Sequence, residues 1–292
     1  MPDVCMILNE RAGNLELASQ WLEQEVQRRN IVTFRPTDLW GAVDALYSAL
    51  RAGFRRLIIA GGDGTISKLV NALAGRWDAL ELAVLPVGTG NDWARTLGLP
   101  VDDLAACLDV ALEGRVRPTD LIHIAGSSPE YCVNAATAGV GARVAADVRP
   151  EDKQRWGSLA YWLTAVSHLA QWREYQVQVD WDDASRQLSV WGLVVANGMY
   201  AGGGFPIAPK ARPDDGLLDI TLLPALPWTD ILVAGLAFSL GASDPQRIPT
   251  MQARRVHIHS QPALHFSIDG EPTRAIDTTF EVLPGVLHVV RP

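Results

Sequence analysis

The chain predicts an α/β domain followed by a β-rich domain, on three observations. From Val4 to about Gly114, short apolar runs alternate with stretches of helical periodicity. Two of those runs end in glycine loops, Gly61-Gly62-Asp63-Gly64-Thr65 and Pro86-Val87-Gly88-Thr89-Gly90-Asn91-Asp92. From about Leu121, closely spaced strand candidates replace the alternation. Alternating strands and helices imply a parallel sheet covered on both faces. Residues 1–120 are therefore expected as the α/β domain and 121–292 as the β-rich, sandwich-like domain, with a last strand that can return to the first.

Val4–Leu8 reads as the first strand. Leu15–Arg29 follows as a helix, with Leu15, Ala18, Leu22 and Val26 on one face. Ile31–Phe34 is the second strand and Leu39–Arg51 the second helix. Leu57–Ala60 and Leu82–Leu85 are buried strands, each running into a glycine loop, with helices expected from Thr65 and from Trp93. Val101–Glu113 is a helix stopped by Gly114. In the second half, Leu121–Ile124 and Tyr131–Asn134 are short strands. Tyr175–Trp181 and Gln187–Ala196 form a hairpin around Asp182-Asp183-Ala184-Ser185. Further strands are expected at Leu217–Leu223, Arg254–His259, Leu264–Ile268, Thr279–Leu283 and Val286–Val290. Gly157–Trp172 has helical spacing of Leu159, Trp162, Leu163, Val166 and Leu169, which suits either core packing or the wall of a lipid pocket.

The two loops carry the chemistry. Glycine lets the backbone turn tightly and lets a ligand approach the main chain. The first turn of the next helix offers unpaired amides and the positive end of its dipole, a seat for phosphate. Asp63 within that loop would repel a phosphate unless a divalent cation lies between them. The combination points to a nucleotide phosphate with Mg²⁺, and so to phosphoryl transfer. Thr89 offers a hydroxyl to a phosphate oxygen and Asp92 a second carboxylate, while Asn91 and Asp92 also suit helix capping. Two strand–loop–helix units in succession place both loops at one edge of the sheet, where open α/β sheets bind ligands.

The remaining features bound the class. The 292 residues are 48% hydrophobic with a formal net charge of −8, which argues against a nucleic-acid partner and against wholesale electrostatic attachment to anionic lipid. Cys5, Cys107 and Cys132 are scattered in apolar contexts, as buried reduced thiols of a cytoplasmic protein would be. No secretory signal is visible, and the apolar stretch Ile231 to Leu240 is about half the length that crosses a bilayer. The ten tryptophans form no belt. His257 and His259 share one side of a strand without a third ligand nearby in sequence, so zinc is not expected.

The loops GGDGT and P-x-G-T-x-N-D together resemble the diacylglycerol kinase catalytic family, which is distantly related to NAD kinases. The order continues with Val133–Gly141, Asn197-Gly198, Ala201–Gly204, Asp214–Asp219 and Ile268-Asp269-Gly270-Glu271-Pro272, most like the YegS-type bacterial lipid kinases. The resemblance implies ATP as co-substrate, contacted at Asn9, Thr37, Gly61, Gly62, Asp63, Gly64, Thr65, Ile66, Ser67, Gly88 and Thr89. It also implies catalytic Mg²⁺ organised by Asp63 and Asp92, and Glu271 as general base. A structural Mg²⁺ would be held by the Asp215 side chain and the carbonyls of Arg212 and Leu217. The bland readings, tight turns at Asp269-Gly270 and at Asp214-Asp215-Gly216, stay open on the residues alone. The implied partners are a membrane lipid such as diacylglycerol or phosphatidylglycerol, reached peripherally from the inner face. A homodimer is compatible with the resemblance. Where the family continues with Asn-Glu after GGDGT and one variable residue, this chain has Ser67-Lys68, a charge reversal. An NAD kinase-like enzyme and a catalytically silent lipid- or nucleotide-binding protein are the alternatives.

Overall fold

The computed structural model describes residues 3–13, 15–126, 130–139, 173–227, 229–230, 233 and 248–292. The helix expected at 157–172 lies outside them, as does the apolar stretch 231–240 apart from Val233. The chain divides into two compact units, residues 1–120 with 284–292, and residues 121–283.

The first unit is a parallel α/β sheet. Its elements are β1 (Val4–Leu8), α1 (Leu15–Arg28), β2 (Val32–Phe34), α2 (Leu39–Arg51), β3 (Arg56–Gly61), α3 (Asp63–Ala72), β4 (Glu81–Pro86), α4 (Asp92–Thr96) and α5 (Leu104–Glu113). β1 pairs in parallel with β2 on one side and β3 on the other, and β3 pairs in parallel with β4. The sheet is closed on the far side by the end of the chain's last strand, β15 (Glu271–Arg291), where His288 and Val289 pair in parallel with Glu81 and Leu82. The order β2-β1-β3-β4 puts the reversal of strand order between β1 and β3, the place at the strands' carboxyl ends where open α/β sheets bind ligands. Leu57, Ile58, Ile59 and Ala60 are fully buried, as a strand covered on both faces requires.

Local chemistry sets the helix ends. Asp38 takes extended backbone and its carboxylate accepts the amide of Gly41, which starts α2. Asp103 does the same for Ala106, so the helix expected from Val101 begins at Leu104. Arg56 bonds Glu81 at 2.8 Å and donates to the carbonyls of Ala111 and Leu112, a cation on the last carbonyls of α5.

The second unit is built of strands. β5 (Arg115–Ala125) enters it, followed by β6 (Tyr131–Cys132), β7 (Ala135–Gly139), β8 (Tyr175–Trp181) and β9 (Ala184–Ala196). The short pair β10 (Tyr200–Ala201) and β11 (Phe205–Pro206) precedes β12 (Leu218–Pro224), β13 (Thr250–Ala253) and β14 (Arg255–Ile268), and β15 begins at Glu271. β8 and β9 form the expected hairpin with a tighter turn, Asp182 standing at φ 44° between Trp181 and its partner Ala184. β9 and β14 each pair with β8 along one half and with β7 along the other, so the sheet folds over on itself. It encloses Val177, Val195, Ile220, Ile258, Phe266 and Phe280, the two phenylalanine rings 5.5 Å apart. The strands expected at Arg254–His259 and Leu264–Ile268 are one strand, with a register shift between them. Those expected at Thr279–Leu283 and Val286–Val290 are also one, because Gly285 takes φ 62° and its amide is held by Asp120 at 2.7 Å.

Candidate functional site

The glycine loops of the first unit meet. Asn9, at the end of β1, accepts the Arg11 amide at its Oδ1 and donates from Nδ2 to Thr65 Oγ1 at 2.8 Å. It thereby ties the β1 loop to the β3 loop across the switch point. Gly62 and Gly88 touch main chain to main chain, and any side chain on Gly88 would collide with Gly62. Gly13 packs against the Thr89 hydroxyl in the same way, and Gly61 against the Thr65 side chain. These glycines are small because two loops share one place. Asn91 closes the second loop from within: it stands at φ 54°, accepts the Gly88 amide and donates to the carbonyls of Pro86 and Gly88.

α3 begins at Asp63, two residues before the expected start, because Gly62 takes the extended capping conformation. Asp63 caps a helix to which it does not belong. Its Oδ2 accepts the Asp92 amide at 3.2 Å and its Oδ1 the Trp93 amide at 3.0 Å. The capping role open to Asn91 thus falls to a carboxylate from the other loop, since Asn91 makes no side-chain cap. Asp92 itself is 6% exposed in the first turn of α4. Thr89 and Gly64 are exposed at the loop tips, and Thr37 is exposed just before the cap Asp38. Thr65, Ile66 and Ser67 are 4%, 1% and 3% exposed in the first turns of α3.

In the second unit the Asp-Gly-Glu segment is a turn with a purpose. Asp269 is at φ 48° and Gly270 at φ 93°, joining β14 to β15. The Asp269 carboxylate is buried in a nest of amides: Oδ2 accepts Val133 N at 2.8 Å, and Oδ1 accepts Asn134 N at 2.9 Å and Ala135 N at 3.2 Å. Cys132 Sγ also lies 3.2 Å from Oδ1. Burial pushes the Asp269 carboxyl up, and the amides and the thiol oppose that by holding the charged form. Burial also pushes the Cys132 thiol well above its ordinary range, with the Asp269 charge adding to it, so this cysteine is not in the purely apolar context expected. Asn134 donates to the Tyr200 carbonyl, and Asn197 to that of Val133, which fastens the 197–204 segment to the same turn. Glu271 is exposed at the head of β15.

Asp215 is exposed and its Oδ1 accepts the Leu217 amide at 3.1 Å, the acidic turn that the residues alone allow. Arg212 is exposed on the approach to it, and Leu217 is half-buried just before β12. Asp219 ends the Asp214–Asp219 run, where sequence reasoning gave it no role of its own. It is 8% exposed, and desolvation, then the Asp215 charge, push its carboxyl up to about 6 against the opposing Gln252 amide. Its place on β12 facing the Asp215 turn was hidden by its reading as one more strand residue. Among the described residues no group of three His, Cys, Asp or Glu side chains gathers to hold a metal. His257 is paired with Asp277 at 2.9 Å and with Thr279, which accounts for it.

A parallel sheet whose glycine loops meet at the carboxyl ends of β3 and β4, joined in sequence to a folded-over β unit, defines a protein of an α/β unit and a β unit. Residues 3–124 match the diacylglycerol kinase catalytic domain, and residues 134–291 match the YegS C-terminal NAD kinase beta sandwich-like domain. A probable lipid kinase YegS-like of Pseudomonas aeruginosa (strain UCBPP-PA14) is 34% identical over 296 residues, spanning 99% of this chain and 94% of its own. The one from Stenotrophomonas maltophilia (strain K279a) is 33% identical over 98% of this chain and 95% of its own. Among solved structures, a putative diacylglycerol kinase from Bacillus anthracis str. Sterne superposes with a TM-score of 0.80 at 24% identity, covering 99% of this chain and 95% of its own. An NAD kinase from Archaeoglobus fulgidus in complex with ATP shares the fold at a TM-score of 0.56 and 12% identity, covering 99% of this chain and 93% of its own. The chain belongs to the diacylglycerol kinase catalytic family, in its YegS-type branch, and is a kinase acting on a hydroxyl acceptor.

Proposed function

We propose that the protein is an ATP-dependent lipid kinase that transfers the γ-phosphate to the hydroxyl of a membrane lipid, diacylglycerol, phosphatidylglycerol or one similar. The observation that carries the reading is the Asn9–Thr65 bond together with the main-chain contact of Gly62 and Gly88, which makes one phosphate seat from two loops. The relatives' description as lipid kinases supports the acceptor class.

The proposed roles follow from position. Thr65 N and Ile66 N already donate to the Gly62 carbonyl, so the amides of Asp63 and Gly64 at the start of α3 receive phosphate oxygens, and Thr89 adds a hydroxyl from the second loop. Asp63 fits a cation: of the roughly four lone-pair positions of a carboxylate, two are taken by the Asp92 and Trp93 amides, and the others stay available. Mg²⁺ held by Asp63 with Asp92 alongside would neutralise charge on the phosphates. Glu271 takes the proton of the lipid hydroxyl as it attacks, and Thr37 contacts the nucleotide. The Asp215 turn, with the carbonyls of Arg212 and Leu217, fits a second, structural Mg²⁺. The repulsion between Asp215 and buried Asp219 is one that a nearby cation would relieve. Work on a membrane lipid calls for peripheral contact with the bilayer. No helix among the described residues is long and apolar enough to cross one.

The test is transfer of ³²P from γ-labelled ATP to a mixed lipid extract against transfer to NAD. Label in lipid and none in NAD is the expected result. Label in NAD would make the protein an NAD kinase-like enzyme. Label in neither, with nucleotide bound, would make it a silent binding protein.

A further inference from the structure

Two residues beside the phosphate seat have no part in the roles above. Trp40, the second residue of α2, is 72% exposed, although a tryptophan side chain gains most from burial. It is not idle: Lys68 Nζ lies 4.2 Å from the centre of its ring, within the range of a cation–π contact. Lys68 is the residue at which this chain reverses the charge of its family.

The position of the pair is informative. Lys68 lies on α3 one turn beyond Gly64, about 6 Å along the axis at 1.5 Å per residue. Its Cα–Cβ bond tilts toward the N-terminus of the helix, toward the turn that faces the phosphates. Gly64 is exposed, and a Cβ added there would meet nothing within 4 Å, so α3 is open at Gly64, one turn before the half-buried Lys68. Thr37 stands three residues before Trp40, on the loop that leads into α2. Lys68 is thus rooted about one helical turn beyond Gly64 on α3, with the Trp40 ring 4.2 Å from its Nζ.

We propose that Trp40 and Lys68 form the base end of the nucleotide site: the base stacks on Trp40, while Lys68 orients the ring and adds positive charge near the phosphate chain. The inference rests on the nucleotide reading of the glycine-loop seat and names residues that determine its affinity. Base stacking on an aromatic ring tolerates any base because every base has a π face. The pair therefore supplies affinity for nucleosides in general, with little choice between adenine and guanine.

Titration of ADP, and separately of inorganic triphosphate, into the full chain and its Trp40→Ala, Trp40→Phe and Lys68→Glu variants tests the proposal. Trp40→Ala should weaken ADP about tenfold or more, the usual size of a lost stacking contact, and leave triphosphate binding unchanged. Trp40→Phe should recover most of the loss. Lys68→Glu should weaken both ligands. In turnover, Trp40→Ala should raise KM for ATP far more than it lowers kcat, with KM for lipid unaltered. Wild-type affinity for ADP in Trp40→Ala would overturn the proposal, as would equal loss of ADP and triphosphate. A loss confined to binding of lipid vesicles would overturn it too, and make Trp40 a membrane contact. If wild-type protein binds neither ADP nor triphosphate, the nucleotide reading of the seat fails, and this inference with it. If wild type binds both and Trp40→Ala is silent, only this inference fails.

Discussion

Asp63 in the first unit and Asp269 in the second solve the same problem at different burial. Each accepts backbone amides from another segment: Asp63 takes two from the start of α4, and Asp269 takes three from residues 133–135. Asp63 is half-buried at a loop edge and keeps acceptor positions for a cation. Asp269 is enclosed, with Cys132 as a fourth donor. A carboxylate that caps and stays accessible can serve chemistry directly. One that is sealed into a nest can only position its neighbours, here the turn that presents Glu271. The family pattern prints both as an aspartate beside glycine, and the structure separates them.

The sharpest way to break the comparison is to remove the buried acid. Asp269→Ala leaves three buried amides without their acceptor, each orphan costing about 1–3 kcal/mol. Loss of roughly 3 kcal/mol or more in urea unfolding is expected, so the variant will be marginal. A loss under about 1 kcal/mol would mean that the nest does not hold the turn.

Asp63→Ala should act twice and less severely on stability. The lost cap of α4 costs about 1–2 kcal/mol, and the lost metal organisation lowers turnover at least a hundredfold, near 2.7 kcal/mol of barrier. Asp63→Asn retains one acceptor, so it should recover part of the stability but little of the activity. If Asp63→Asn turns over like wild type, the charge of Asp63 has no part in the reaction.

This double use of Asp63 marks the limit of what the sequence discloses. The glycine loops were legible because their constraints are local: a strand, a turn without side chains, a helix start. The partners of Asp63 lie 30 residues away, and those of Asp269 about 135, distances over which no spacing rule operates. The burial of Ser67, 3% exposed on α3, is likewise set by packing that its spacing does not print. Strand ends erred for a different reason. Pro284-Gly285 reads as a breaker, but Asp120 holds the Gly285 amide and the strand continues through it. Lys68 could be seen as a charge reversal, and only the fold brings Trp40 under it.

A smaller effect is expected at Asp219. Its folded-state pKa, raised to about 6 from 3.8, means that the native state binds the proton more tightly than the unfolded chain. The protonated form's contribution is therefore fully present below the unfolded value and is lost as pH rises toward 6. With a chelator present, wild type should lose on the order of 1–2 kcal/mol of stability between about pH 4 and pH 6.5 relative to Asp219→Asn. Parallel stability curves for the two proteins would show that Asp219 keeps an ordinary carboxylate pKa. Adding Mg²⁺ above pH 6 should raise the melting temperature of wild type, and Asp215→Ala should abolish that rise.

The measurement closest to the central claim compares wild type with Glu271→Gln in kcat for lipid phosphorylation and in affinity for ADP. Gln keeps the size and much of the hydrogen bonding of the side chain but cannot take a proton. General-base catalysis contributes about 10²–10⁴-fold, so kcat should fall by that factor while ADP affinity stays within about twofold of wild type. Normal turnover by Glu271→Gln would contradict the account, leaving the Asp-Gly-Glu segment as a turn alone.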